Sequence, residues 1–390
     1  MLPDDCSTYL TTPPPPPPPS GNVSISGQIT FDRVPLVTTS ATSTALNYGA
    51  SRSDPARGVI VQAVDSGGTV LASDVTDGSG NYALSVAAST PVRIQARAQM
   101  QQSAGATWDI QVLDNQNGFA IYVLAGSLTD SGTANSTRNL NAASGWGGTS
   151  YTGTRAAAPF AILDSLYTTV TTIEAVDANV SFTDLQVFWS AGNSEGGNGS
   201  CAAAANGDIV TSSYTRTNCV DPSLTDFADF APTIFLLGDD NVDTDEYDES
   251  VVVHEFGHYF EDQLSRSDSF GGGHSLSDRL DARLAFSEGW GNAISAMILD
   301  DPIYRDSLGS QQSNGFAFSV DADLTDAAGP RFPGWYSETS IQQILYDIFD
   351  SGPGDDDPGS GGFAPIYAAF TDTAFSGTRN FITIYEFANQ

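Results

Sequence analysis

The residues whose types and spacing could do chemistry concentrate in one segment, SVVVHEFGHYFEDQL, at residues 250–264. His254 and His258 stand four apart, and Val252, Phe256, Tyr259 and Phe260 recur at helical spacing, so both imidazoles share one helix face. Two imidazoles placed this way grip one metal ion, and Glu255 between them is within reach of an activated water. This is the HExxH pattern, in which zinc lowers the pKa of its water towards ~7 and the glutamate takes the proton. The chain holds only three histidines, and two fall at ligand spacing, which argues against an accidental pair.

A catalytic zinc needs a third protein ligand and an open coordination position. Residues 281–299, DARLAFSEGWGNAISAMIL, read as a second helix with Trp290, Ile294, Met297 and Ile298 on a buried stripe. Its other stripe carries Ala285, Glu288, Asn292 and Ser295, and Glu288 is the natural third ligand. Ser287 and Gly289 beside it are small enough to let the two helices approach closely.

His254-Glu255-Phe256-Gly257-His258 followed by Glu288-Gly289-Trp290 resembles the gluzincin zinc metallopeptidases, most closely the thermolysin and fungalysin branch, across residues 208–349. The resemblance implies Zn2+ held by His254, His258 and Glu288, with Glu255 as general base. Two departures stand out. Asn292 occupies the place where the branch usually has an aspartate supporting a histidine ligand, and no histidine follows His274 to stabilise an oxyanion. By comparison with the fungalysin segment that GWYSETSIQQILYDIF resembles, Tyr336 takes that role as a phenolic donor, with Tyr346 as second choice. A third helix, residues 339–349, follows it, with Thr339 and Gln342 as an expected capping box.

Other polar residues have two readings each. His274, in the glycine-rich loop SFGGGHS, is either a donor on a mobile lid or an exposed loop side chain. Arg279 and Arg283 either neutralise nearby carboxylates or meet a substrate carboxylate. The acidic run at residues 239–249, DDNVDTDEYDE, either complements the dipole of the metal helix or builds a structural Ca2+ site, and residues 355–357 read as a solvated loop.

The elements that must position these residues suggest a multidomain chain, an all-β sandwich followed by an α+β zincin-like metallopeptidase domain. Residues 1–21 are a proline-rich tail, with a stiff run from Pro13 to Pro19. Residues 22–125 contain seven short alternating segments separated by turn residues, as in an antiparallel sandwich. Within them, residues 57–98 resemble carboxypeptidase-regulatory-like (transthyretin-like) domains. Residues 126–154 are rich in Gly, Ser, Thr and Asn and read as a linker; residues 155–390 are the expected peptidase domain.

Composition narrows the partners. Fourteen basic residues, all arginine, stand against 47 acidic ones, a net charge of −33 that disfavours nucleic acid and anionic membranes. No apolar run is long enough to span a bilayer, and the N-terminus lacks the regions of a signal peptide. Cys201 and Cys219 bracket a loop and are expected to pair, leaving Cys6 over, which points to an oxidising, secreted or cell-surface setting. The expected activity is hydrolysis of protein or peptide substrates, internal cleavage being favoured because no GxMEN element is present. A surface adhesion or scaffolding protein with a vestigial site, or a zinc hydrolase of a non-peptide amide or ester, are the alternatives.

Overall fold

The computed structural model describes residues 21–323, 330–351 and 361–390. The proline run, Cys6 and residues 355–357 lie outside the described residues.

All seven alternating segments contain strands; those over residues 70–75 and 120–125 keep their apolar side chains at least partly exposed, and the others bury theirs. β1 (Asn22–Arg33) buries Val23, Ile25, Ile29 and Phe31, and pairs antiparallel with β4 (Asn81–Ala87), which buries Tyr82, Leu84 and Val86. β2 (Val59–Val64), β3 (Val70–Val75), β5 (Pro91–Ser103) and β6 (Thr107–Asp114) form a second antiparallel array in the order β3-β2-β5-β6.

That array does not end where a separate sandwich would. Helix α1 (Ala158–Val176) crosses from β6 to β9 (Leu185–Trp189), which lies parallel to β6 with Leu185 opposite Ile110 and Val187 opposite Val112. Parallel neighbours require such a crossover, and once it forms both halves share a sheet and a core. The sheet continues through β11 (Ala231–Leu236) to the edge strand β10 (Ser213–Thr217). One hydrophobic core accordingly runs from Ile25 and Val61 through Leu166 and Val187 to Phe256 and Trp290. The boundary expected between residues 125 and 155 therefore falls inside one architecture.

The expected linker also belongs to it. β7 (Ser136–Thr137) and β8 (Leu140–Ala142) pair parallel with β1. Just before β7 and just before β8, the side chains of Asn135 and Asn139 accept hydrogen bonds from the β1 amides of Ser24 and Gln28. The asparagines that give the segment its linker composition complete a ladder. The edge strand β10 begins at Ser213 and lies antiparallel to β11.

The helices that bear on the site are α2 (Glu249–Leu264), α3 (Ala282–Leu299) and α4 (Glu338–Phe349). Both stripes of α3 are buried, because α2 covers one side and α4 another. Close approach is local. A Cβ on Gly257 would meet Ile294 at 2.8 Å, and one on Gly289 would meet Ile341 of α4 at 2.5 Å. Gly289 thus serves the α4 contact rather than the α2 contact expected of it. The cap of α4 is Ser337, whose hydroxyl accepts from the Ser340 amide, while Thr339 bonds Leu276 and Gln342 bonds Asn292. A small sheet of β12 (Gly238–Asp239), β13 (Asp243–Thr244), β14 (Ile303–Leu308) and β15 (Asn314–Ser319) ties the segment before α2 to the strand after α3. Cys201 and Cys219 are joined by a disulfide, as expected. No described helix is long and apolar enough to cross a membrane.

Candidate metal centre

The first turn of α2 is anchored from the opposite end of the chain. Arg33 at the end of β1, with its side chain only 4% exposed, pairs with Asp54, Asp164 of α1 and Glu249 of α2. Two turns later His254 and His258 face α3 and meet Glu288. His254 Nε2 lies 3.1 Å from His258 Nε2 and 3.3 Å from Glu288 Oε2, and His258 Nε2 lies 3.4 Å from that oxygen.

These contacts have a chemical consequence. Ser287 donates its hydroxyl proton to Glu261 at 2.5 Å, so its oxygen is free to accept from His258 Nδ1 at 3.1 Å. The Asn292 amide nitrogen donates to Glu338 Oε1 and Gln342 Oε1 at 2.8 and 2.9 Å, which leaves Oδ1 to accept from His254 Nδ1 at 2.9 Å. Each neutral ring then carries its proton on Nδ1 and turns the bare Nε2 lone pair inward. Two lone pairs and a carboxylate facing one another repel unless a cation sits between them. Zinc bonds of about 2.0–2.2 Å at tetrahedral angles set ligand atoms about 3.3–3.6 Å apart, close to the observed edges. The residues present fit zinc.

Electrostatics agree. Burial opposes charge on His258, but Glu288, Glu261 and Glu255 outweigh it and raise the imidazole well above its ordinary value. Burial would likewise raise the Glu288 carboxyl, yet His258 and His254 hold it well below. The cluster draws positive charge.

Glu255 is 7% exposed, and its Oε2 is buried without a hydrogen-bond partner. It lines two adjoining cavities. The larger, about 840 Å3, runs between the edge strand β10, the glycine-rich loop 269–274 and the cluster of His254, His258 and Glu288; the smaller, about 490 Å3, reaches β13 and β14.

The glycine-rich loop carries His274 to this site. Its Nε2 stands 3.2 Å from Glu288 Oε2, and its Nδ1 stands 2.9 Å from Glu338 Oε2. Burial would lower this imidazole, but Glu338 and Glu288 outweigh that and raise it. Tyr336, by contrast, does not line either cavity; its ring packs on Trp335 and faces the Arg279 guanidinium. Tyr346 is buried on α4, its ring tilted against Phe349. Arg283 pairs with Asp281, and Arg279 stacks on Phe332 at 4.1 Å.

Glu338, Glu261 and Gly291 escaped the sequence reading. Glu338 bonds both His274 and Asn292, so one carboxylate orients the loop histidine and, through the amide, His254. The only local signal for it was an acidic residue in the first turn after a serine cap.

Comparison with known proteins bears on the C-terminal half. No curated protein matches the chain. One similar solved structure is a 9R-lipoxygenase from Cyanothece PCC8801, at 14% identity over 31% of this chain and 16% of that one, with a TM-score of 0.17; so low a score carries no argument. Residues 225–358, which include the helices bearing His254, Glu255, His258 and Glu288, match the Mycolysin C-terminal domain, and that match supports a thermolysin-like metallopeptidase family for this part of the chain.

Proposed function

We propose that the protein is a zinc-dependent peptidase that cleaves protein or peptide substrates, with His254, His258 and Glu288 as metal ligands and Glu255 as general base. The observation that carries this reading is the inward convergence of two Nε2 lone pairs and a carboxylate beside the unpartnered Oε2 of Glu255. A zinc ion bound there supplies Lewis acidity to a peptide carbonyl and lowers the pKa of attacking water.

The remaining work falls to the chain. Glu255 accepts the proton of the water and returns it to the leaving amine. His274, oriented by Glu338, is the better-placed donor for the developing oxyanion, a role the sequence reading gave to Tyr336. The exposed edge of β10 along the larger cavity suits a substrate held extended as an added strand. The disulfide and the strong acidic excess favour a secreted or cell-surface setting.

Glu255→Gln is the direct test. The change is nearly isosteric and spares the ligands, so it should leave zinc content unchanged and lower kcat by at least 10²-fold. Wild-type turnover in that variant would overturn Glu255 as the base. A wild-type protein that binds zinc but cleaves only esters or non-peptide amides would favour the broader hydrolase reading.

A further inference from the structure

Two arginines near the start of α3 have different surroundings. Arg283 pairs with Asp281. Arg279 is exposed and, among the described residues, pairs with no carboxylate; its guanidinium lies 4.1 Å from the centre of the Phe332 ring and 5.8 Å from that of Tyr336. Arg331, also exposed and also without a described carboxylate partner, lies over the same Phe332 ring at 5.1 Å. Two like charges thus share one half-buried ring, in a chain whose 47 acidic residues far outnumber its 14 arginines. A guanidinium resting on a ring face is held by that face while its N–H edge stays free, and that edge grips a carboxylate with two hydrogen bonds.

The pair stands beside the cleft. His274, Ser275, Leu276 and Ser277 line the smaller cavity together with Glu255. The Thr339 hydroxyl donates to the Leu276 carbonyl at 3.0 Å, and the Leu280 amide donates to the Tyr336 carbonyl at 2.9 Å. These bonds lay residues 276–280 along residues 336–339 and carry Arg279 to Phe332. Arg279 follows Ser277 by two residues, about 7 Å of chain at most. An extended substrate advances about 3.3–3.6 Å per residue, so a side chain two to four residues from the scissile bond comes within reach of the two guanidinium groups. The cavity itself is lined by the carboxylates of Asp245, Glu255, Asp306 and Glu338. An acidic side chain next to the scissile bond is repelled there, whereas one placed further out meets two cations.

We propose that Arg279 and Arg331, on the Phe332 platform, form an accessory subsite for a carboxylate of the substrate polypeptide. It selects sequences with Glu or Asp two to four residues from the cleaved bond, on the side of the smaller cavity. The subsite rests on the peptidase reading and names a substrate class for it; the two arginines bind the chain and do not touch the reacting atoms.

The test uses quenched octapeptides of Ala, Ser and Leu, identical except that one of positions two to four on either side of the scissile bond carries Glu or Gln, with the cleaved bond located by mass spectrometry. On one side, Glu should exceed Gln by about fivefold in kcat/KM at low salt, chiefly through KM, and the ratio should fall in about 0.5 M NaCl. Arg279→Gln should bring the ratio to about one, and Arg279→Lys should restore only part of it, because an ammonium lacks the stacking face and the fork. Each ratio is taken within one protein, so differences in folding or zinc content cancel. Should Arg279→Gln fail to fold, Arg331→Gln reads the same loss. Fluorescence anisotropy of the same peptides, fluorescein-labelled and bound to Glu255→Gln, gives the Glu/Gln ratio of Kd without cleavage and separates the two readings. Cleavage with no Glu preference at any position overturns the subsite and leaves the peptidase reading standing. A wild type that cleaves nothing, with a Glu preference in binding that Arg279→Gln removes, does the reverse. The subsite is also overturned if the preference persists in both arginine variants, or if neither assay shows one.

Discussion

A Cβ on Gly291 would stand 2.7 Å from the His254 ring, so α3 positions this imidazole by leaving the space empty. Alanine is favoured over glycine in a helix interior by about 1 kcal/mol, so Gly291→Ala carries no backbone penalty of its own. It should nevertheless displace the ring and weaken zinc binding by roughly 10–100-fold, the range seen when the support of a ligand is disturbed. Competition with a chromogenic chelator measures this; unchanged affinity would mean that the ring has room to move.

Asn292 stands where related sites carry an aspartate, and the structure gives a reason. Its amide nitrogen lies 2.8 Å from Glu338 Oε1, so an aspartate would set two carboxylates against each other. Asn292→Asp should therefore weaken zinc binding despite adding charge behind His254. Combining it with Glu338→Gln should recover part of the loss, with a coupling energy of about 0.5–3 kcal/mol in a double-mutant cycle. Additive effects would contradict this arrangement.

The grouping of His254 and His258 with Glu288 was legible in the sequence because helical spacing fixes which residues share a face. What supports them was not legible, because Ser287, Glu338 and Gly291 act across helix pairs whose packing no local pattern encodes. The strands were equally readable from alternation, whereas their allocation to domains was not. The parallel pairing of β6 with β9 depends on α1 returning to the same sheet, a long-range choice to which period-2 alternation is blind. His274 belongs to the same class of residue. Its loop gives no periodic signal, and its contacts with Glu288 and Glu338 show where it points.

Asp262 of α2 holds the edge strand by accepting from Tyr214, Arg216 and Gln263. Burial alone would raise its carboxyl, but these partners hold it below the usual carboxylate range. A depressed folded value means the contribution is present above the unfolded pKa near 3.9 and is lost as pH falls through the folded value. Asp262→Asn should thus be less stable than wild type at pH 7, by about 1 kcal/mol at most after solvent screening. The difference should begin to shrink as pH falls below about 3.9. Urea titrations across pH test it; a gap that does not shrink as pH falls below that value would rule out this cause.

Arg33 of β1, itself buried, compensates three carboxylates: Asp54 on the neighbouring strand, Asp164 of α1 and Glu249 of α2. Arg33→Ala leaves those charges without their cation and should cost about 3–5 kcal/mol of stability, measured by urea unfolding. A cost below about 1 kcal/mol, the range of a surface pair, would show that the anchor on α2 lies elsewhere.

The central claim is most directly tested by elemental analysis of the purified chain beside quenched-peptide hydrolysis, with and without 1,10-phenanthroline. The account predicts about one zinc per chain and cleavage that the chelator abolishes and added zinc restores. A chain that takes up no zinc after reconstitution, or cleavage indifferent to the chelator, would contradict it.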